Sequence, residues 1–363
     1  MLALCGDVML GRGVDQILPH PGDPSLWEGF IRDARAYVRL AEAANGPIPR
    51  RPGAAWPWGD ALDVLDLAVP QVRIINLETS VTRCPDAAPR KAVHYRMNPA
   101  NLPSLTAARP DCCVLANNHI LDFGRRGLAE TIEVLDAGGL RTAGAGRDAD
   151  GAWRPAVIPA GAGRVLVLAF GVASSGIPAS WAAATGRSGV AFVAELSGSQ
   201  ADVVVDRVRR VKRRGDVVVA SVHWGPNWGY RVGRDERRFA HALIDGGVDV
   251  VHGHSSHHPR PIEVYRHRLV LYGCGDLVND YEGIGGHDRY RADLRLIYLA
   301  SVRPGTGELV RLRMTPLQAH RMRLRRASAE DSGWLRTVLD RVSRDFGTDV
   351  DIEDHETLVV NPG

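Results

Sequence analysis

The sequence predicts an α/β fold in which two β-sheets pack face to face and are covered by helices. Three observations carry this. Short apolar runs alternate with helix-length amphipathic segments, the pattern of strands layered with helices. After Pro261 the pattern changes to paired runs around tight turns. Five separate apolar runs stop at polar residues suited to chemistry.

In chain order, buried strands are expected at Leu2–Cys5, Val72–Asn76, Cys112–Ala116, Val165–Gly171, Val217–His223 and Val248–His252. Helices are expected at Leu26–Ala44, Gly59–Leu67, Gly124–Ala137, Gln200–Arg213 and Asp235–Asp245, the last with Gly246-Gly247 where a left-handed cap favours glycine. Ile262–Tyr265 and Arg268–Tyr272 flank Arg266-His267 as one hairpin. Leu294–Val302 and Leu309–Met314 flank Pro304-Gly305-Thr306-Gly307 as another. A helix over about Glu330–Phe346 closes the chain, and Asn45–Pro57, rich in Pro, Gly and Arg, reads as a loop. Residues 1–320 are expected to form one domain, with 321–363 a helical extension packed on it.

The 363 residues are 45% hydrophobic and 24% charged, enough apolar material for a large core. A net charge of +3 from 45 basic and 42 acidic residues, with the arginines scattered, argues against nucleic acid as a partner. Five cysteines form no C-x-x-C pair and read as buried thiols of a reducing compartment. No run approaches the roughly 18 apolar residues that a membrane span needs. Met1 leads directly into a strand, which leaves no room for a signal peptide and makes a cytoplasmic location the expectation.

The candidate chemistry sits where strands stop, since loops at strand ends present side chains from a rigid scaffold. Asp7 ends the first run, Asn76-Leu77-Glu78 the second and Asn117-Asn118-His119 the third. His223 ends the fifth, and His252-Gly253-His254 the sixth, followed by Ser255-Ser256-His257-His258. Two carboxylates (Asp7, Glu78), an amide oxygen (Asn118) and three imidazoles (His223, His254, His257) suit a borderline divalent ion such as Zn, Mn or Fe. A carboxylate such as Glu78 can bridge two ions, which can then clamp the oxygens of a displacement. His252 reads as core, and His258 and His267 as surface.

Gly6-Asp7-Val8-Met9-Leu10-Gly11-Arg12, Asn76-Leu77-Glu78-Thr79, Ala116-Asn117-Asn118-His119-Ile120-Leu121-Asp122, His223-Trp224-Gly225 and Gly253-His254-Ser255-Ser256-His257 together resemble the CapA family of bacterial poly-γ-glutamate capsule synthesis proteins, a branch of the calcineurin-like metallophosphoesterases. The motifs keep family order from residue 7 to about residue 282. The resemblance implies a four-layer α/β/β/α sandwich with two mixed sheets and one or two divalent ions at the strand ends. It implies Asp7 on the first ion, Glu78 as the bridge, Asn118, His223 and His254 on the second, and His257 returning to the first. It also implies His119 as the group that protonates the leaving atom, oriented by Asp122. Met9 stands where the superfamily's first motif, Asp-x-His, has histidine; the bridge is Glu rather than Asp; and His254 and His257 are three apart instead of two.

Arg12, Arg96 and Trp228 lie after or between the motifs and either meet an anionic substrate or serve as an ordinary ion pair and buried aromatic. Gly273-Cys274-Gly275-Asp276 is expected to end a strand at the same rim, with Asp276 behind the ligands. The expected function is a metal-dependent hydrolase acting on a phosphoester or on an amide such as a γ-glutamyl linkage, on an anionic small molecule or γ-glutamyl-type substrate, with a homo-oligomer compatible with this reading. A non-catalytic accessory protein binding an acidic polymer or its synthase is the alternative. No Gly-x-x-x-x-Gly-Lys-Ser/Thr loop is present to support ATP-driven ligation.

Overall fold

Successive strand residues point to opposite faces, so a fully apolar strand must be buried on both sides. The first strand, Leu2–Val8, does this: Leu2 and Leu4 enter one apolar cluster, Ala3 and Cys5 another. The computed structural model describes residues 1–354 and 356–362. The larger sheet runs Asp351–Glu353, Thr357–Val360, Leu309–Ala319, Leu294–Val302, Leu2–Val8, Val72–Leu77, Cys112–Val114, Arg141–Ala143. Pairing is parallel from Leu2–Val8 through Arg141–Ala143 and antiparallel on the other flank. Asp276–Val278 adds to Leu2–Val8 in parallel.

The smaller sheet runs Phe192–Val193, Gly163–Val172, Val217–His223, Val250–His254, Arg268–Leu271, Ile262–Tyr265, with Ala156–Ala160 antiparallel to Gly163–Val172. Its central pairs are parallel. The sheets meet through Leu2, Leu4, Val72 and Ile74 on one side and Val165, Val167, Val217, Val219 and Val250 on the other. Helices Ala61–Ala68 and Gly124–Ala137 cover the outer face of the larger sheet, and Gly198–Val211 and Arg234–Asp245 that of the smaller. The result is a mixed α/β architecture of two mixed sheets between helical layers.

Several expectations shift. The third strand stops at Val114 rather than Ala116. The helix expected over Leu26–Ala44 spans only Arg35–Asn45. Residues 24–34 instead close a loop through Leu26 N–H to Arg32 O and Ala34 N–H to Pro24 O, and this loop delivers the buried Glu28 to Arg12. Residues 321–363 contain the helix Ala329–Ser343 and also three strands: Leu324–Arg326, Asp351–Glu353 and Thr357–Val360. Leu335 and Leu339 of that helix enter the inter-sheet core, so this segment shares the main core. His258 is buried rather than on the surface. All five cysteines are buried and unpaired, as expected. No helix among the described residues is long and apolar enough to cross a membrane.

Candidate metal centre

Parallel strands present their carboxyl ends on one rim, and there the polar residues converge. Leu2–Val8 carries Asp7, and Glu78 follows Val72–Leu77 directly. Asn118 and His119 stand in the turn after Cys112–Val114. His223 and His254 end adjacent strands in register with one another. Gly6 lets the first strand approach its neighbour: a Cβ there would lie 1.7 Å from Gly275 O. A Cβ on Gly253 would meet Leu271 O at 2.5 Å, so only glycine fits between these strands.

Side-chain contacts fix the cluster. Asn76 Nδ2 donates to Asp7 Oδ1 at 2.7 Å and to Glu78 Oε2 at 3.1 Å, and Asn117 holds Asn76 in turn. His223 Nδ1 and His254 Nδ1 are 2.8 Å apart, and His223 Nε2 lies 3.1 Å from Asn118 Oδ1. Ser221 Oγ touches both His254 Nε2 and His252 Nδ1 at 3.0 Å, which fixes the His254 ring; His252, in the core as expected, also contacts Cys5 O. Glu78 Oε1 faces His119 Nε2 at 3.8 Å and His223 Nε2 at 3.9 Å. His257 Nδ1 meets Asp276 Oδ1 at 2.9 Å. One donor atom each from Asp7, His223 and His254 lie within 4.8 Å of one another, and the same holds for Asp7, His257 and Asp276.

The electrostatics fit a divalent cation. Asp7, Glu78 and Asp276 are all buried, and among the described residues no Lys or Arg lies within 4.0 Å of their carboxylates. Burial, then the Asp276 charge, pushes Asp7 up to about 7; burial, then Asp7, raises Glu78 as well. Burial works against a charged His257, but Asp276 and Asp7 outweigh it and raise the ring. Burial opposes the Asp276 charge too, but His257 and Arg295 outweigh it and hold that carboxyl below its ordinary value. Asp7 and Glu78, raised and without a Lys or Arg in contact, beside imidazoles whose burial holds His223 and His254 neutral, form a donor set that gains from a cation. These N and O donors could hold a metal ion.

His119 stands beside this cluster with Nδ1 2.7 Å from Asp122 Oδ2. Sequence reasoning missed a third member: Lys91 Nζ lies 2.7 Å from Asp122 Oδ1 and 2.8 Å from His119 Nδ1. Burial and Lys91 together lower the His119 pKa to about 4. Lys91 comes from an irregular loop whose composition carries no periodic signal.

The proposed substrate contacts fall differently. Arg12 is buried, pairing with Asp280 at 2.6 Å and Glu28 at 2.9 Å, its guanidinium 3.6 Å from the centre of the Tyr37 ring. Arg96 donates to Cys84 O and Asp23 O and pairs with the Asp23 carboxylate at 3.2 Å. The structure brings neither guanidinium into the cluster. Trp228 does border it, 5.4 Å from the His257 ring and stacked on His287 at 3.8 Å between ring centres.

Residues 1–281 match the bacterial capsule synthesis protein family PGA_cap. A probable polyglutamine synthesis accessory protein of Mycobacterium tuberculosis is 52% identical over 99% of this chain and 95% of its own length. The PGA biosynthesis protein CapA of Bacillus subtilis is 24% identical over 87% of this chain and 70% of its own length, and the capsule biosynthesis protein CapA of Bacillus anthracis 25% over 77% and 59%. A crystal structure of a Thermus thermophilus protein aligns over 66% of this chain and 89% of its own at 11% identity, with a TM-score of 0.34, too low to argue from. With five motifs in order at one rim and a family match over residues 1–281, the chain belongs to the CapA family of bacterial capsule synthesis proteins.

Proposed function

We propose that this protein is a metal-dependent hydrolase that cleaves a phosphoester or an amide such as a γ-glutamyl linkage, in the metallophosphoesterase manner. The observation that carries the reading is the pair of buried carboxylate and imidazole groups sharing Asp7 at the strand ends. Asp7, His223 and His254 would hold an ion with the Asn118 amide oxygen, Glu78 borders it, and His257 stands on the far side of Asp7. Bound there, one or two divalent ions supply Lewis acidity toward a substrate oxygen and acidify water.

The remaining chemistry is the chain's own. Taking the ring proton of His119 on Nδ1, toward Asp122 rather than toward the Lys91 ammonium, leaves the Nε2 lone pair facing Glu78 and the cluster. A pKa held down to about 4 keeps this lone pair free at neutral pH. His119 therefore takes a proton at Nε2 from the attacking water and returns it to the leaving atom. Lys91 neutralises Asp122, which limits the cost of a carboxylate this deeply buried. Trp228 offers an aromatic wall at the edge of the cluster for the substrate.

A second reading is favoured by the names of relatives: as an accessory protein of polyglutamate or capsule synthesis, the chain would bind an acidic polymer or its synthase. One experiment separates the two. Purified protein reloaded with Mn, Zn or Fe is assayed by elemental analysis and against aryl phosphates and γ-glutamyl peptides. Bound metal with turnover of either substrate class supports the hydrolase; metal-free protein with no turnover leaves the accessory role.

A further inference from the structure

We propose that Asp276 is itself a metal ligand, and that Asp7, shared between Asp276 with His257 on one side and His223 with His254 on the other, is the carboxylate common to two ions. This rests on the metal-centre reading above and adds to it a ligand and a shared group. The residue reaches the site by strand pairing: Asp276–Val278 lies parallel to Leu2–Val8, with Asp7 and Asp276 directly in register. Neighbouring Cβ atoms on one face of paired strands sit about 5 Å apart, so like charges placed opposite destabilise a sheet unless a cation lies between them. Both residues are at most 2% exposed, and water cannot screen the pair.

The hydrogen bonds leave both carboxylates with capacity to spare. Asp7 Oδ1 accepts from Asn76 and Oδ2 from Ser255 N–H, at 2.7 and 3.2 Å. Asp276 Oδ2 accepts from Asn279 Nδ2 at 2.6 Å, and Oδ1 faces His257 Nδ1. Each ionised oxygen offers about two acceptor sites, so each of the four keeps one free. Arg295 hydrogen-bonds Asn279 Oδ1 and backbone carbonyls rather than Asp276, and acts on that carboxylate only through its charge.

A carboxylate that only orients an imidazole would hold the ring's N–H and leave the opposite nitrogen to the ion. Here the opposite nitrogen, Nε2, meets the Tyr281 hydroxyl at 3.4 Å. Nε2 is engaged by that hydroxyl, and Nδ1 faces Asp276 Oδ1 at 2.9 Å, with Asp7 offering a third donor atom within 4.8 Å of both, a set that can close around a cation.

The test is a metal count on four proteins after manganese reloading: wild type, Asp276→Asn, Asp276→Ala and Asn279→Ala, with electron paramagnetic resonance to separate a coupled ion pair from an isolated ion. Wild type is expected to hold two coupled ions. Asp276→Asn drops to one uncoupled ion, retained by Asp7, His223 and His254, which also reports that the variant is folded; Asp276→Ala does the same if the amide fails to fold. Asn279→Ala, which loosens Asp276 without removing its charge, still fills both sites at saturating manganese but binds the second ion less tightly, by about 10–100-fold. Two ions retained in either folded Asp276 variant, none retained, or a second ion bound as tightly by Asn279→Ala as by wild type overturns the assignment while leaving a metal centre in place. Wild type with a single ion overturns it too, and wild type with no ion ends the metal reading altogether.

Discussion

Two regions of this molecule bury charge, and they do so in opposite ways. Around Arg12, the guanidinium meets Asp280 and Glu28, Tyr37 donates its hydroxyl to Glu28, and the aromatic rings of Tyr37 and Tyr95 pack on the cation. Charge is balanced there by the chain itself. Around Asp7, three buried carboxylates crowd together with the neutral imidazoles of His223 and His254; among the described residues no Lys or Arg touches them, and His257 alone partners Asp276. The first arrangement holds the segment of residues 12–45 to the body of the fold. The second leaves Asp7 and Glu78 short of positive charge, which is why we propose it, rather than the Arg12 region, as the functional centre.

The largest effect should come from breaking the second region at its common residue. Asp7→Asn is expected to lose all stoichiometric metal, and turnover of whichever substrate is cleaved should fall by more than about 100-fold, since even partners behind ligands cost 10–100-fold. Elemental analysis and steady-state kinetics check this together. Retention of two ions in Asp7→Asn would erase the contrast between the regions.

Breaking the first region should instead cost stability and leave metal alone. Arg12→Ala strands Asp280 and Glu28 as unpaired buried charges, worth about 3–5 kcal/mol. Denaturant unfolding of the metal-loaded protein reads that loss, and the metal count should not move. If Arg12→Ala unfolds near the wild-type midpoint but raises KM, the arginine serves substrate after all.

The contrast also shows what a sequence can carry. Asp7, His223 and His254 were legible because each stands where an apolar run stops, and a strand end is a local signal. Both outer helices of the smaller sheet followed from their amphipathic period in the same way. Asp276 was expected to end a strand, but it opens a separate one, Asp276–Val278; its partner Asp7 lies far away in sequence, and only the parallel pairing of the two strands brings them together. Lys91 had no local pattern at all. Glu28 was hidden in an expected helix: residues 24–34 close a loop through their own backbone hydrogen bonds and place the Glu28 carboxylate on Arg12, a long-range pairing that the helical period of Leu26–Ala44 does not carry. Arg12 itself follows a family motif, which suggested a substrate contact, while its neighbours in space assign it to the scaffold.

Removing the metal should sharpen the comparison by reversing the sign of one substitution. In chelator, Asp7 carries a folded pKa of about 7 against an ordinary 3.8, because burial and Asp276 oppose its charge. A carboxyl raised on folding costs nothing below its ordinary pKa, where both states are protonated. The cost grows as pH rises from about 4 to 7, where only the unfolded chain ionises, and is full above that. Asp7→Asn should therefore unfold at a higher midpoint than wild type in EDTA at pH 8. The gain should shrink toward zero at pH 4, whereas with metal present wild type is the more stable. A variant less stable than wild type in EDTA at pH 8 would mean that the cluster is not strained without its ions.

The smallest expected effect tests the remaining arginine. Arg96 pairs with Asp23, whose side chain is 58% exposed, so solvent screens the attraction and the pair contributes about 1 kcal/mol or less. Its bonds to the Cys84 and Asp23 carbonyls and its packing over Phe123 tie two loops together without touching the cluster. Arg96→Ala should shift the unfolding midpoint only slightly, keep the full metal count and change KM by less than about twofold. The guanidinium is already satisfied by protein oxygens, and a substrate would have to displace all three to bind it. A tenfold rise in KM with metal and stability intact would show that this displacement occurs, and would move Arg96 from the self-balanced side of the molecule to the side completed by a ligand.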